Sequence, residues 1–291
     1  MSTEAERSSL TLADGRTLTY LEFGDADGVP VLHHHGGLVS ASDVAALDGV
    51  ARDTGVRLVS FDRPGVAGSS PRPGRTVLDG AADAEQLLDH LGISDVRLTG
   101  WSMGGQYALA TAYLLAERVQ RTAVIAGAVP LDDPATVAEL NEMDRRFTAM
   151  AADHPAKLRS AAAALGGLAA FSPRSWAAMA AHGEGAIDAK AVRAVAHELA
   201  GSAAAATSQH EGVVEEYLAW VRPWGFGLAD VVSPVDVWQG SEDHLLPPEW
   251  GRRLAAGLGS GSLHLVEGVG HFLLLTHADE VLAALLATDL S

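Results

Sequence analysis

The sequence predicts an α/β fold, a mostly parallel eight-stranded sheet flanked by helices and carrying one all-helical insertion. Three observations lead there. Short β-branched and leucine-rich runs alternate with longer helical patterns, as they must when neighbouring parallel strands are joined by helices. The opening stretch SSLTLADGRTLTYLEFG differs, because two alternating runs meet at Asp14-Gly15, a hairpin signal, so the sheet should begin with an antiparallel pair. From Leu131 to Asp230 no convincing strand occurs, only alanine-rich helical patterns separated by HPAK, FSPRS, GEGAID and GSAAAATS.

After the hairpin, strands are expected at Val29 to His34, Arg57 to Phe61, Val96 to Gly100, Arg121 to Ala126, Val235 to Gln239 and Leu263 to Val266. Between and after them the stretches DVAALDGVARDTG, VLDGAADAEQLLDHLG, GGQYALATAYLLAERV, PPEWGRRLAAGLG and FLLLTHADEVLAALLATD read as helices. Residues 1–130 and 231–291 are therefore assigned to one core domain and 131–230 to an inserted helical lid, since a long insertion in one sheet is usually functional. Alanine richness alone says less, alanine being the best helix former. No fixed-period repeat is present.

Composition excludes several classes of function. A formal net charge of −17 repels phosphate backbones and anionic membrane surfaces, so neither nucleic acid nor membrane is an expected partner. The chain has no cysteine, which removes disulfides, thiolate metal sites and a cysteine nucleophile. Its first residues are polar and charged where a secretory signal needs an apolar run, and no stretch approaches the roughly 18 apolar residues of a membrane span. A cytoplasmic protein, monomeric or homodimeric, is expected.

Residues 96 to 110, VRLTGWSMGGQYALA, read as a strand, a sharp turn at Gly100-Trp101-Ser102-Met103-Gly104, and a helix. A serine at the apex of such a turn takes a strained backbone conformation, and the flanking glycines are needed because bulkier residues would collide. The helix start also places unpaired amide donors beside the serine oxygen. The turn resembles the nucleophile elbow of the α/β-hydrolases, and that resemblance implies an acid and then a histidine later in the chain. The strand VDVWQ is followed by GSEDHLLPP, which puts Asp243 in the loop beyond the strand's C-terminal end; Asp236 lies within the strand, and Glu242 is the local rival. The strand LHLVEG is followed by VGHF, which puts His271 in the next such loop, whereas His264 lies in a strand, His277 in the last helix and His244 next to Asp243.

This arrangement resembles the α/β-hydrolase family over essentially the whole chain. Besides the elbow, FDRPGVAGSSP at residues 61 to 71 looks like the family's loop after the fourth strand, GSEDHLLP like its acid loop and GVGHF like its histidine loop. The resemblance also accounts for VLHHHGGLVS, residues 31 to 40. Three adjacent histidines invite a metal, but strand alternation turns His34 away from His33 and His35, and no carboxylate or cysteine pattern completes a site. In the family the loop after the third strand carries a His-Gly motif, which falls on His35 and Gly36 here. The resemblance implies that Gly37 and Met103 donate the backbone N–H groups of an oxyanion hole, that His35 orients the loop, and that His33 and His34 are partly buried strand residues satisfied by neighbours. Where many relatives carry a proline after the glycines this chain has LVSAS, which lowers the expectation of peptidase activity.

What the resemblance implies is two-step acyl transfer with no metal and no cofactor. Ser102 attacks a carbonyl, His271 carries its proton, Asp243 holds the imidazole, and water releases the acid. The rate should rise with pH through about 6 to 7. The expected substrate is a small hydrophobic ester, thioester or lactone, with Arg63, Trp101, Met143, Phe147, Trp176 and Trp220 as candidate contacts. For Arg63 an alternative is bracing of its own loop through Asp62 or Asp83. Transacylation, lactone formation, carbon-carbon hydrolysis, peptide hydrolysis, perhydrolysis and a catalytically silent ligand-binding protein all remain open at this point.

Overall fold

A computed structural model describes residues 6–287, so the ends of the sequence-assigned core, 1–5 and 288–291, lie outside the described residues. The chain opens with β1 (Ser8–Thr11), β2 (Thr17–Gly24) and β3 (Val29–His34), followed by a 3-10 turn (Ala41–Leu47) and α1 (Asp48–Asp53). Next come β4 (Val56–Phe61), α2 (Val77–His90), β5 (Val96–Trp101), α3 (Gly104–Leu114) and β6 (Val119–Ile125). A wholly helical stretch follows: α4 (Pro134–Val137), α5 (Glu142–Asp153), α6 (Pro155–Phe171), α7 (Pro173–Ala180), α8 (Ala186–Ala194), α9 (Ala196–Ala206) and α10 (His210–Trp220). The sheet then resumes with β7 (Val235–Gly240), α11 (Pro248–Gly257) and β8 (Gly261–Val266), and the chain closes on α12 (Leu273–Thr276) and α13 (Ala278–Leu286).

The eight strands form one sheet in the order β1-β2-β4-β3-β5-β6-β7-β8. β1 and β2 form the antiparallel hairpin signalled by Asp14-Gly15, with Gly15 at φ 86°, and β2 also runs antiparallel to β4. All later pairs are parallel. Two-residue periodicity gives the sheet two buried faces. Leu32, Val59, Leu98, Val124 and Val237 pack on one side with α2, α3 and α11, while Val31, Leu58, Ala123, Ile125 and Trp238 pack on the other with α1, α12 and α13.

Several strand ends move by one or two residues from the sequence expectation, and three boundaries differ for a visible reason. The helix read through to Val119 stops at Leu114, because Val119 already pairs with Val96 in the sheet. The sixth strand ends at Ile125, since Ala126 turns out of it at φ 46°. The last helical pattern is broken at His277, where φ is −130°.

The strand order places the candidate site. From β3 the chain moves to β4 on one side and then returns to β5 on the other, so the loops leaving β3 and β5 diverge at a switch point, where open α/β sheets form a crevice beyond the strand ends.

Candidate active site

Ser102 stands at the end of β5 with φ 54°, a left-handed conformation that costs a non-glycine residue strain. The turn is held because Ser102 N–H donates to Ile125 O at 2.8 Å and Gly105 N–H donates to Ser102 O at 3.0 Å. The glycine spacing follows from crowding. A Cβ on Gly104 would lie 2.0 Å from His34 O, and one on Gly100 would lie 2.5 Å from Gly104 O. Gly105 has the close packing expected of it, its Cβ position lying 2.9 Å from Val124 Cγ1.

His271 and Asp243 are both buried, and His271 Nδ1 pairs with Asp243 Oδ2 at 3.0 Å. The carboxylate is fully engaged. Its Oδ1 accepts from Leu245 N–H and Leu246 N–H, each at 2.9 Å, and its Oδ2 also accepts from Gln239 Nε2 at 3.0 Å. The rivals go elsewhere: Glu242 is exposed, and Asp236 pairs with His264 at 2.9 Å and with Arg121 at 3.0 Å. Two contacts brace the histidine loop. Trp101 Nε1 donates to His271 O at 3.0 Å, and Phe272 N–H donates to Asp188 Oδ2 of α8 at 2.9 Å.

The three histidines after Leu32 point to separate places and all are buried; His33 and His34 are thus more enclosed than the partial burial the sequence suggested, because helices cover both faces of the sheet. His33 lies against Thr99 Oγ1 at 2.9 Å and Asp43 at 3.3 Å. His34 turns to the opposite face, where it meets Thr111 Oγ1 at 3.1 Å and packs on Phe61 and Tyr107. His35 Nδ1 pairs with Gly36 O at 2.8 Å, while its Nε2 accepts from Arg63 N–H at 3.2 Å. Among the described residues, neither Gly37 N–H nor Met103 N–H donates to a protein acceptor, and both residues border the space beside Ser102.

That space is a cavity of about 740 Å³ lined by Gly36, Gly37, Ser102, Met103 and His271 on the sheet side and by residues of α5, α6, α7, α9 and α10 on the other. Of the sequence candidates, Trp101, Met143, Trp176 and Trp220 line it. Phe147 does not; it sits one helical turn beyond Met143 and packs edge-on against Tyr217, ring centroids 5.5 Å apart. Arg63 does not either. It is fully buried behind the loop and binds neither Asp62 nor Asp83, for its Nε and Nη2 reach Glu216 of α10 at 2.9 and 2.6 Å. Of the three lid acids the sequence offers as anchors for a substrate amine, Glu139, Glu142 and Glu184, only Glu184 is in the lining, and sequence reading passed over Asn141, Asp144 and Tyr217; Tyr217 OH donates to Asp144 Oδ1 at 2.7 Å and Asn141 Nδ2 to Asp144 Oδ2 at 2.6 Å.

Residues 29–278 match the family model described as alpha/beta hydrolase fold. The chain belongs to the α/β-hydrolase family. It is 35% identical over 123 residues to a non-heme haloperoxidase of Rhodococcus erythropolis, a match that spans 42% of this chain and 44% of that protein. A non-heme chloroperoxidase of Streptomyces lividans is 33% identical over 124 residues, 42% of this chain and 45% of its own. The chain thus matches under half the length of these two relatives. Among solved structures, an esterase from Exiguobacterium antarcticum superposes with a TM-score of 0.71 at 19% identity, covering 96% of this chain and 98% of that one, a likeness of fold.

Electrostatics in this α/β-hydrolase are set by burial and by acids around the imidazole. Burial alone would depress the His271 pKa, but the Asp243 carboxylate at Nδ1, helped by Glu184 and Asp144, outweighs it and raises the pKa above the ordinary 6.5. Glu184 is pushed up to about 7, first by burial and then by the negative charges of Asp243 and Asp188, against the pull of His271. Burial also raises Asp144, its hydrogen bonds from Tyr217 and Asn141 offsetting only part. Behind the loop the balance reverses. Burial would raise Glu216, but Arg63 and Arg75 hold it down to about 2. His35 is kept neutral by burial and by Arg63, its pKa near 3.

Proposed function

We propose that the protein is a serine hydrolase that cleaves a carboxylic ester, thioester or lactone of a small hydrophobic substrate. The observation that carries the reading is the buried Asp243–His271 hydrogen bond opening onto the same cavity as a strained Ser102. In this reading Ser102 Oγ attacks the substrate carbonyl, His271 Nε2 takes its proton and returns it to the leaving group, and Asp243 keeps Nδ1 protonated. Ser102 and His271 share no hydrogen bond among the described residues, and such contacts commonly tighten only when substrate binds. Gly37 and Met103 amides receive the oxyanion; removing one donor of this kind typically costs about 2.7 to 4 kcal/mol in the barrier. The mostly apolar lining, with Trp176, Leu165, Leu199 and Ala203, suits a hydrophobic acyl or alcohol group. The helical stretch 131–230 acts as the lid over it. Among the described residues no helix is long and apolar enough to cross a membrane.

The names of the haloperoxidase relatives favour a second reading. The same acyl-enzyme attacked by hydrogen peroxide in place of water releases a peracid. One experiment tests the first reading: incubation with a small fluorophosphonate, intact mass, and mapping of the adduct. A single stoichiometric adduct on Ser102, lost in His271→Ala, is the expected result, with ester turnover lost in Ser102→Ala. Retained turnover in that variant would falsify the assignment. Added peroxide that diverts product from acid to peracid would establish the second reading on the same serine.

A further inference from the structure

The loop bearing Gly37 is fixed from behind by charged side chains that never reach the cavity. Arg63 donates from Nη1 to His35 O at 2.5 Å and from Nη2 to Gly36 O at 2.8 Å. His35 completes the hold. Its Nδ1–H donates to the same Gly36 oxygen, which fixes the neutral tautomer, because its Nε2 is already the acceptor for Arg63 N–H. Asp43 Oδ2 takes the Gly36 N–H at 3.0 Å. The peptide joining Gly36 to Gly37 is trans, and in a planar trans peptide the C=O and N–H point in opposite directions. Two donors on Gly36 O therefore aim the Gly37 N–H the other way, away from Arg63.

Arg63 is itself held by a residue far along the chain. Glu216 accepts from its Nε and Nη2 in a bidentate pair, and Arg75 Nη2 also donates to Glu216 while its Nη1 holds Pro64 O at 2.8 Å. The Arg63 guanidinium rests 4.6 Å from the centre of the Tyr107 ring. All three charged side chains are buried, where a bidentate pair has one geometry and no water to relax into. The next residue on the helix, Tyr217, lines the cavity, as does Trp220.

The geometry points to Glu216 and Arg63 as positioning residues that orient the Gly37 N–H toward the oxyanion and so couple helix α10 to the oxyanion hole. The proposal rests on the serine-hydrolase reading for its kinetic consequence and on the loop geometry alone for its structural one. It differs from the sequence expectation of Arg63 as a substrate contact, because a contact would be felt in ground-state binding, whereas an oriented donor is felt where negative charge develops.

The test is Glu216→Gln, which keeps shape and removes charge, measured on the full chain with a p-nitrophenyl ester, with phenylboronic acid, and by 15N relaxation at Gly37. The expected result is a kcat lower by about tenfold or more with KM within about threefold, weaker boronate inhibition by a similar factor, and a Gly37 order parameter falling from about 0.85 toward 0.6. Glu216→Asp and Arg63→Lys keep both charges but move the fork, so they should show the same split if Glu216→Gln does not fold. An unchanged kcat and Gly37 order parameter in any folded variant of the three overturns the proposal, as does a rise in KM alone. Failure of all three to fold makes the network a determinant of folding only and overturns it too. If the wild type turns over no ester, yet the Gly37 order parameter falls in Glu216→Gln, the positioning stands and the hydrolase reading falls.

Discussion

The indole N–H of Trp101 donates to the backbone carbonyl of His271 at 3.0 Å, joining the residue before Ser102 to one 170 positions later. The same ring lies against Gly36, whose Cβ position is 3.0 Å from the Trp101 Cε3. One side chain thus touches the serine turn, the histidine loop and the Gly36-Gly37 loop. Trp101→Phe keeps most of the packing and removes the donor. One lost neutral hydrogen bond is worth about 1 kcal/mol, so kcat should fall by about fivefold with little change in melting temperature. Steady-state kinetics beside thermal denaturation check this; an equal loss of stability with unchanged kcat would reduce Trp101 to packing.

The pH profile should be displaced to the alkaline side. In the proposed mechanism His271 must be neutral to take a proton from Ser102, and its pKa is raised, so kcat/KM should rise with pH through a midpoint above 6.5, not through the 6 to 7 that an unperturbed histidine gives. In Asp243→Asn the opposing carboxylate is gone and burial dominates, so the midpoint moves down while kcat drops by about 10⁴-fold. Glu184→Gln acts more gently. Glu184 itself ionises near pH 7 and faces His271, so the wild-type profile reflects a coupled pair. The variant should show one ionisation with its midpoint lowered by less than about one unit. A full pH–rate profile of the three proteins decides the matter.

Much of this site was legible because its signals are local. The strand runs, Asp14-Gly15 and the glycines around Ser102 each obey a rule of backbone geometry that acts within a few residues, and Asp243 and His271 follow from where strands end. Contacts between distant segments leave no such mark. Glu216 follows Glu215 in HEGVVEEYLAW, and nothing nearby tells that Glu215 serves Gly74 at the surface while Glu216 enters a buried pair with Arg63. Gln239 closes an ordinary strand run, and Asp188 falls in GEGAID, read as a break between helices. Phe147 failed for a related reason, since periodicity assigns residues to a helix face but not which neighbour covers each one.

The crowding at the elbow predicts which glycines tolerate a methyl group. Gly104→Ala would force a carbon to 2.0 Å from His34 O, a backbone atom in the sheet centre that cannot retreat. It should destabilise by more than about 4 kcal/mol or give no folded protein. Gly49→Ala is the control, because the added carbon meets nothing within 4 Å at the exposed second residue of α1. There the substitution should stabilise by about 0.5 to 1 kcal/mol. Denaturant titration of both variants reads the contrast, and a well-folded Gly104→Ala would mean that the elbow is looser than described.

In the proposed reading, the shape of the cavity beside Trp176 and Ala203 should set how large a group is accepted. Trp176 of α7 and Ala203 of α9 both line it and both are buried, so substitutions there change volume without adding charge. Trp176→Leu opens space, and Ala203→Leu fills it. If the substrate's hydrophobic group packs against these residues, the ratio of kcat/KM for octanoyl over butyryl p-nitrophenyl esters should rise in the first variant and fall in the second. Each change should be about tenfold, the lower end of what a methylene in an apolar pocket is worth. Opposite shifts of this kind cannot come from loss of stability, which would depress both esters together. Ratios unchanged in both variants would put the hydrophobic group elsewhere, on the side bounded by Met143 and Leu245, where the same pair of esters can be tested with Met143→Ala.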